Sequence, residues 1–249
     1  MHLRTRIFAA AAVSAAFTSP TRAADERARV TALADRFVAA FQENYPVSYA
    51  FSGLPVKRSD GIDINSPAAI AQWHALLQGM TAELGSIKPE AFADQPEWVT
   101  WQFLNHALRQ DAATAICRSE LWGDVTALGW QATLPQIASM QPVGTDEARA
   151  QALARWRKFG PWIDQEIANL REGQRLGYSA TAAAVHSTLG QLDSMLTGAP
   201  EKSELMNPTQ RDTTPAFLAD WTQVITATVW PALERYRAYL RDDYQLHAR

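Results

Sequence analysis

The feature that most constrains this chain is a lopsided choice among its apolar residues: 44 Ala and 22 Leu stand against 11 Val and 10 Ile. Alanine and leucine lose little on entering a helix, whereas β-branched side chains favour strands. Helix is therefore the expected state, and periodicity agrees. Val30, Leu33, Ala34, Phe37 and Phe41 recur at helical spacing until Tyr45-Pro46 ends the run. Ser66-Pro67 is a cap followed by a favoured first helical residue, opening a helix to near Leu84. Pro96-Glu97 opens the next, with Trp101, Leu104, Leu108 and Ala112 on one stripe, and a shorter helix is expected over Ala132 to Met140. Thr145-Asp146-Glu147 caps a helix to Phe159. Gly160-Pro161 is expected to break it and start another, striped by Ile163, Ile167 and Leu170 and closed by Gly173 and Gly177. Val185, Leu189, Leu192 and Leu196 mark the next helix. Pro215 opens the last, expected to kink at Pro231 and run on to Arg249. No strand-like alternation of useful length occurs. The expectation is an all-α, multi-helical array or bundle of about seven helices with a kinked long C-terminal helix, forming one domain over residues 24–249.

The amino-terminal stretch reads differently. Met1 to Arg6 carries two arginines and no acid, Ile7 to Phe17 is uncharged and alanine-rich, and Ser19-Pro20-Thr21 breaks the run before Ala23. That is the layout of a secretory signal peptide over residues 1–23 with cleavage at Ala23, and it predicts an exported protein, periplasmic or secreted. The apolar run is too short for a membrane span, and no later segment is apolar enough. Net charge is −3, and cleavage would remove three arginines and no acid. An acidic chain without a basic stripe is not expected to bind nucleic acid. Cys117 is the single cysteine, which excludes an internal disulfide and any paired-thiolate zinc site. It is expected to serve as a small core hydrophobe.

Most signatures of chemistry fail on spacing. No two of the 12 glycines are two apart, so no Gly-x-Gly phosphate or dinucleotide loop exists. Gly177-Tyr178-Ser179-Ala180-Thr181 approaches a nucleophile elbow but has threonine where the second glycine belongs, and Ser179 reads as a helix cap. Asp60, Asp63 and Asn65 match a calcium loop by composition only, because Ile62 occupies a ligand position. A zinc-peptidase helix needs two histidines four apart with glutamate after the first. His74, His106 and His186 are followed four residues on by Gln78, Gln110 and Gly190, and no partner follows His247. The tryptophans, among them Trp98, Trp101, Trp122 and Trp130, are expected mainly in the core, with stacking on sugars or peptides as the alternative. The run Arg235-Tyr236-Arg237-Ala238-Tyr239-Leu240-Arg241 fits a carboxylate site or an amphipathic helix with its tyrosines inward. Asp242 and Asp243 are adjacent and so lie on different faces of a helix, which argues against a catalytic pair.

Several blocks carry a resemblance. The run from Phe41 to Gly53 (FQENYPVSYAFSG), the run from Ile167 to Gly177 (IANLREGQRLG) with Ala184-Val185 and Gly190-Gln191-Leu192, and the end from Val229 to Leu240 through Tyr244 and Ala248-Arg249 resemble the bacterial family called "domain of unknown function 885". The resemblance spans almost the whole chain after the leader. It implies a helical, exported, zinc-metallopeptidase-like protein acting on peptides. The family's zinc motif lies in a following half that this sequence does not include, so no catalytic or metal residue carries over, and zinc is expected only in that half. The chain is thus expected to be the non-catalytic N-terminal half, inactive alone. The alternative is a periplasmic module that binds peptides or a separate partner. Either the catalytic half or a peptide is the expected partner, and an exposed apolar face near Trp230, Tyr236 and Tyr239 is the expected cleft or interface.

Overall fold

The computed structural model describes residues 20–249, which form α1 (Pro20–Asn44), α2 (Pro46–Phe51), α3 (Pro67–Gly85), α4 (Pro96–Thr114), α5 (Trp130–Met140), α6 (Asp146–Arg175), α7 (Ala182–Met195), α8 (Asn207–Arg211), α9 (Pro215–Val224) and α10 (Trp230–Asp242). Short 3₁₀ turns connect them, and no strand occurs among the described residues. The fold class is the all-α one read from the sequence. The expected leader over residues 1–23 lies largely outside the described residues, and Ala23 falls in the first turn of α1.

Local chemistry sets the helix starts. Proline opens α2, α3, α4 and α9, where its missing N–H costs nothing. Ser66, Thr145 and Thr181 accept from the backbone N–H three residues on, at 3.3, 3.1 and 3.2 Å. Thr181, and not Ser179, is therefore the cap of α7.

The helices bury two separate apolar clusters. Val30, Leu33, Trp73, Leu77, Leu104 and Leu108 tie α1, α3 and α4 together. The larger cluster gathers α5, α7, α9 and α10 around α6, with Trp156, Ile163, Trp221 and Tyr236 among its members. Each fully buried aromatic or leucine contributes about 1.5–3 kcal/mol of transfer free energy.

Three departures from sequence expectation have physical causes. Gly160-Pro161 does not break the chain: α6 is one helix of 30 residues with Pro161 inside it and exposed. Burial of Trp156, Phe159, Ile163 and Ile167 on either side outweighs the roughly 3 kcal/mol that an internal proline costs. Gly160 is needed there for another reason, because an added Cβ would sit 2.7 Å from Thr228 Cγ2. The kink at Pro231 takes the form of a π turn over Ile225–Val229, joining α9 to α10. Pro231 cannot donate to the carbonyl four residues back and its ring crowds that carbonyl, so the widened turn relieves both problems. The helix then stops at Asp242, followed by a 3₁₀ turn over Tyr244–His247, and does not continue to Arg249. Cys117, expected in the core, is exposed. It closes a 3₁₀ turn beside Arg118, whose φ is +48°.

The non-helical segment 52–66 is a strap laid along α6. Ser59 N donates to Gln151 Oε1 at 2.7 Å, Arg155 Nε to Gly61 O at 2.7 Å, and Lys158 Nζ to Asp60 O at 2.8 Å. Trp162 Nε1 donates to Asp63 O at 2.7 Å, and Asn169 Nδ2 to Asn65 O at 2.8 Å. Positions 151, 155, 158, 162 and 169 lie three, four or seven apart, so one face of α6 satisfies the strap's backbone groups. Arg155 is 3% exposed, and burial pulls its pKa down to about 10.

Candidate functional site

Where the two cores meet, a cleft of about 580 Å³ opens. The strap and α2 form one side, α5 and α6 another, and the segment 119–128 closes it. Its lining includes Asp63, Asp111, Glu120, Asp124 and Glu166, with His74 beside them and neither lysine nor arginine. Tyr45, Phe51, Trp130 and Trp162 supply aromatic surface, and Trp130 meets Trp162 edge-on at 5.4 Å between ring centroids.

The acids are not equivalent. Asp63 is well served: Val47 N donates to it at 2.7 Å, Ser48 N at 3.2 Å and Ser48 Oγ at 2.6 Å, so it ties down the start of α2. Burial still raises its pKa against those bonds. Glu166 is 2% exposed and receives one donor among the described residues, Asn65 Nδ2 at 2.7 Å. Its carboxyl lies beside that of Asp124, whose charge opposes its own and whose carboxylate accepts no side-chain or backbone hydrogen bond among the described residues. Two carboxyls this close and this poorly solvated disfavour each other's ionisation. Burial, and then the Asp124 charge, push Glu166 well above the usual carboxylate range; burial likewise raises Asp124. Tyr45 is pushed up to about 12 by burial and by the fields of Asp111, Asp63 and Glu120. Behind the floor, the Tyr236 hydroxyl is fully buried without a well-formed hydrogen-bond partner among the described residues, as is Trp130 Nε1. Tyr236 ionisation is opposed first by burial and then by Glu166 and Asp124.

The expected exposed face at Trp230, Tyr236 and Tyr239 is corrected: the three are 6%, 0% and 6% exposed. The apolar stripe of α10 packs on α6 and α7, so it has no open side. Tyr239 instead donates to Gln174 Oε1 at 2.8 Å and lies under Arg171, while Tyr236 packs on Trp130 at 4.9 Å. The arginines of this run point to acids, Arg235 to Asp164 at 2.8 Å and Arg237 to Asp193 at 3.5 Å, which is the amphipathic-helix alternative. Large exposed apolar side chains occur elsewhere: Phe103, Ile116 and Leu128 are 68%, 81% and 88% exposed, and Leu128 lies on the cleft rim. Of the tryptophans singled out, Trp130 lines the cleft, and Trp98 and Trp122 are partly exposed elsewhere. Asp63 and Asn65, dismissed as calcium ligands, do reach the site, one capping α2 and the other holding Glu166. Asp124 and Glu166 carried no sequence signal. Among the described residues no three His, Cys, Asp or Glu side chains group as metal ligands. No helix among them is long and apolar enough to cross a membrane.

The family model "Bacterial protein of unknown function (DUF885)" matches residues 46–249, and the chain belongs to that family. Among solved structures, the chain is similar to a protein from Colwellia psychrerythraea described only as a candidate lipoprotein. The TM-score is 0.74 at 12% identity, covering 90% of this chain and 42% of that one. The present chain thus spans less than half the length of that neighbour, and the likeness concerns the fold alone. None of the curated proteins matches the chain.

Proposed function

We propose that this chain supplies the non-catalytic wall of a peptide cleft in an exported, zinc-metallopeptidase-like protein, with the metal ligands on a further segment. The observation that carries the reading is the lopsided coverage: 90% of the chain accounts for 42% of its structural neighbour. The cleft supports it, being concave, aromatic and acidic, as suits an extended organic ligand. Bare Phe103, Ile116 and Leu128 also suit a surface meant to be covered.

The test is assay of the purified chain for bound metal and peptide hydrolysis, alone and co-expressed with a segment completing the neighbour's length. Alone it should hold no stoichiometric zinc and cleave nothing. Together the two should hydrolyse peptides, and a chelator should abolish the activity. One tightly held zinc, or hydrolysis, in the lone chain would overturn the proposal. Peptide binding without hydrolysis in the joined protein would favour the alternative, a peptide-capturing module.

A further inference from the structure

The floor of the cleft contains an imbalance that its protein neighbours do not correct. Glu166 is almost wholly buried, lines the cleft and has one neutral donor, Asn65. Asp124 beside it accepts none among the described residues. Asp63, a few residues from Asn65, shows what a satisfied carboxylate looks like here, with three donor groups. A buried acid normally finds a cation or a full set of donors. The groups facing the pair are Glu120, Asp111 and Asp63 with His74 across the cleft, and Tyr236 from α10 behind. None of them is a fixed cation. The surrounding surface is aromatic, which suits an organic cation better than a bare metal ion.

We propose that the Asp124–Glu166 pair is the seat for a primary ammonium group, with the carbon skeleton of the amine laid against Trp130 and Trp162. The ammonium donates to both carboxylates, and a proton held by the pair leaves to solvent as it binds. The free amino end of a peptide and a lysine side chain both carry this chemistry. Placing the amino end of a substrate here deepens the peptide-cleft reading and rests on it.

Binding to the full chain is followed by tryptophan fluorescence and calorimetry with four probes: phenylalanyl-alanine amide, its N-acetyl form, N-acetyl-lysine methylamide and n-butylamine. The free-amine probes should bind at least about tenfold tighter than the acetylated dipeptide, and calorimetry in buffers of different ionisation enthalpy should show proton release. Preference for the dipeptide over acetyl-lysine methylamide assigns the amino end, and the reverse assigns a lysine side chain. Glu166→Gln and Asp124→Asn should each weaken the amine by about tenfold or more, with helical content and melting retained. If the acetylated dipeptide binds as well as the free one, the ammonium seat is wrong while the peptide cleft survives. If butylamine binds but neither dipeptide does, the ammonium seat survives and the peptide reading fails. If no amine binds the folded chain, or calcium or zinc alone binds stoichiometrically and Glu166→Gln abolishes it, the proposal is overturned.

Discussion

Glu166 and Asp212 are both acids with little exposure, and they pull stability in opposite directions as pH changes. The Arg149 guanidinium and the Thr214 hydroxyl hold Asp212 well below the usual carboxylate range. Its stabilising effect is therefore present above the unfolded pKa of about 3.9 and is lost as pH falls towards the folded value. Glu166 and Asp124 are raised, so the folded chain holds a proton that the unfolded chain releases. Their contribution is full below about pH 4 and is lost as pH rises through the folded values. Denaturant melts across pH should show stability falling on the acid side through Asp212 and falling again towards neutral pH. Glu166→Gln should flatten the second slope and leave the chain at least as stable at pH 7, because it removes a buried acid and keeps the shape. A steeper neutral slope in that variant would contradict this account. The residues that matter here were the least legible in the sequence. Glu166 reads as an ordinary solvated helical glutamate, and Asp124 sits in a loop far from it along the chain. Only the packing of segment 119–128 against α6 brings them together.

Elements were more legible than sites, and their misreadings trace to particular residues. Alanine and leucine stripes located the long helices, and serine, threonine and proline caps located several starts. Pro161 misled because an intrinsic cost of a few kcal/mol is modest beside the tertiary burial of a long helix. Two glycines show the same contest from the other side. A Cβ at Gly173 would lie 2.2 Å from the Leu121 carbonyl oxygen, where α6 abuts the turn leading to Asp124. Gly190, within α7, has nothing within 4 Å of that position among the described residues. Gly173→Ala should therefore cost about 1–3 kcal/mol in chemical denaturation and disturb ligand binding in the cleft. Gly190→Ala should gain about 0.5–1 kcal/mol. Equal effects from the two would show that the close approach at Leu121 is not real.

At the scale of the molecule, the two apolar clusters divide the work unequally. The larger holds α6 and α10 under layers of aromatic side chains, whereas α1, α3 and α4 share the smaller one. Native-state hydrogen exchange should find the slowest amides in α6 and α10 and earlier opening of α1. Uniform protection across both groups would refute the division. The meeting of these cores forms the cleft, and that junction was invisible from periodicity, which reports faces of single helices and not which faces meet. Connecting segments usually drift in length among relatives, since each added residue costs little. The strap along α6 cannot. An extended residue advances about 3.3 Å and a helical one 1.5 Å, so one inserted residue would carry every later strap group past its partner by more than two helix positions. A side chain can be exchanged here, but an insertion or deletion amounts to a frameshift in space, and its casualties include Asn65 and with it the one donor to Glu166.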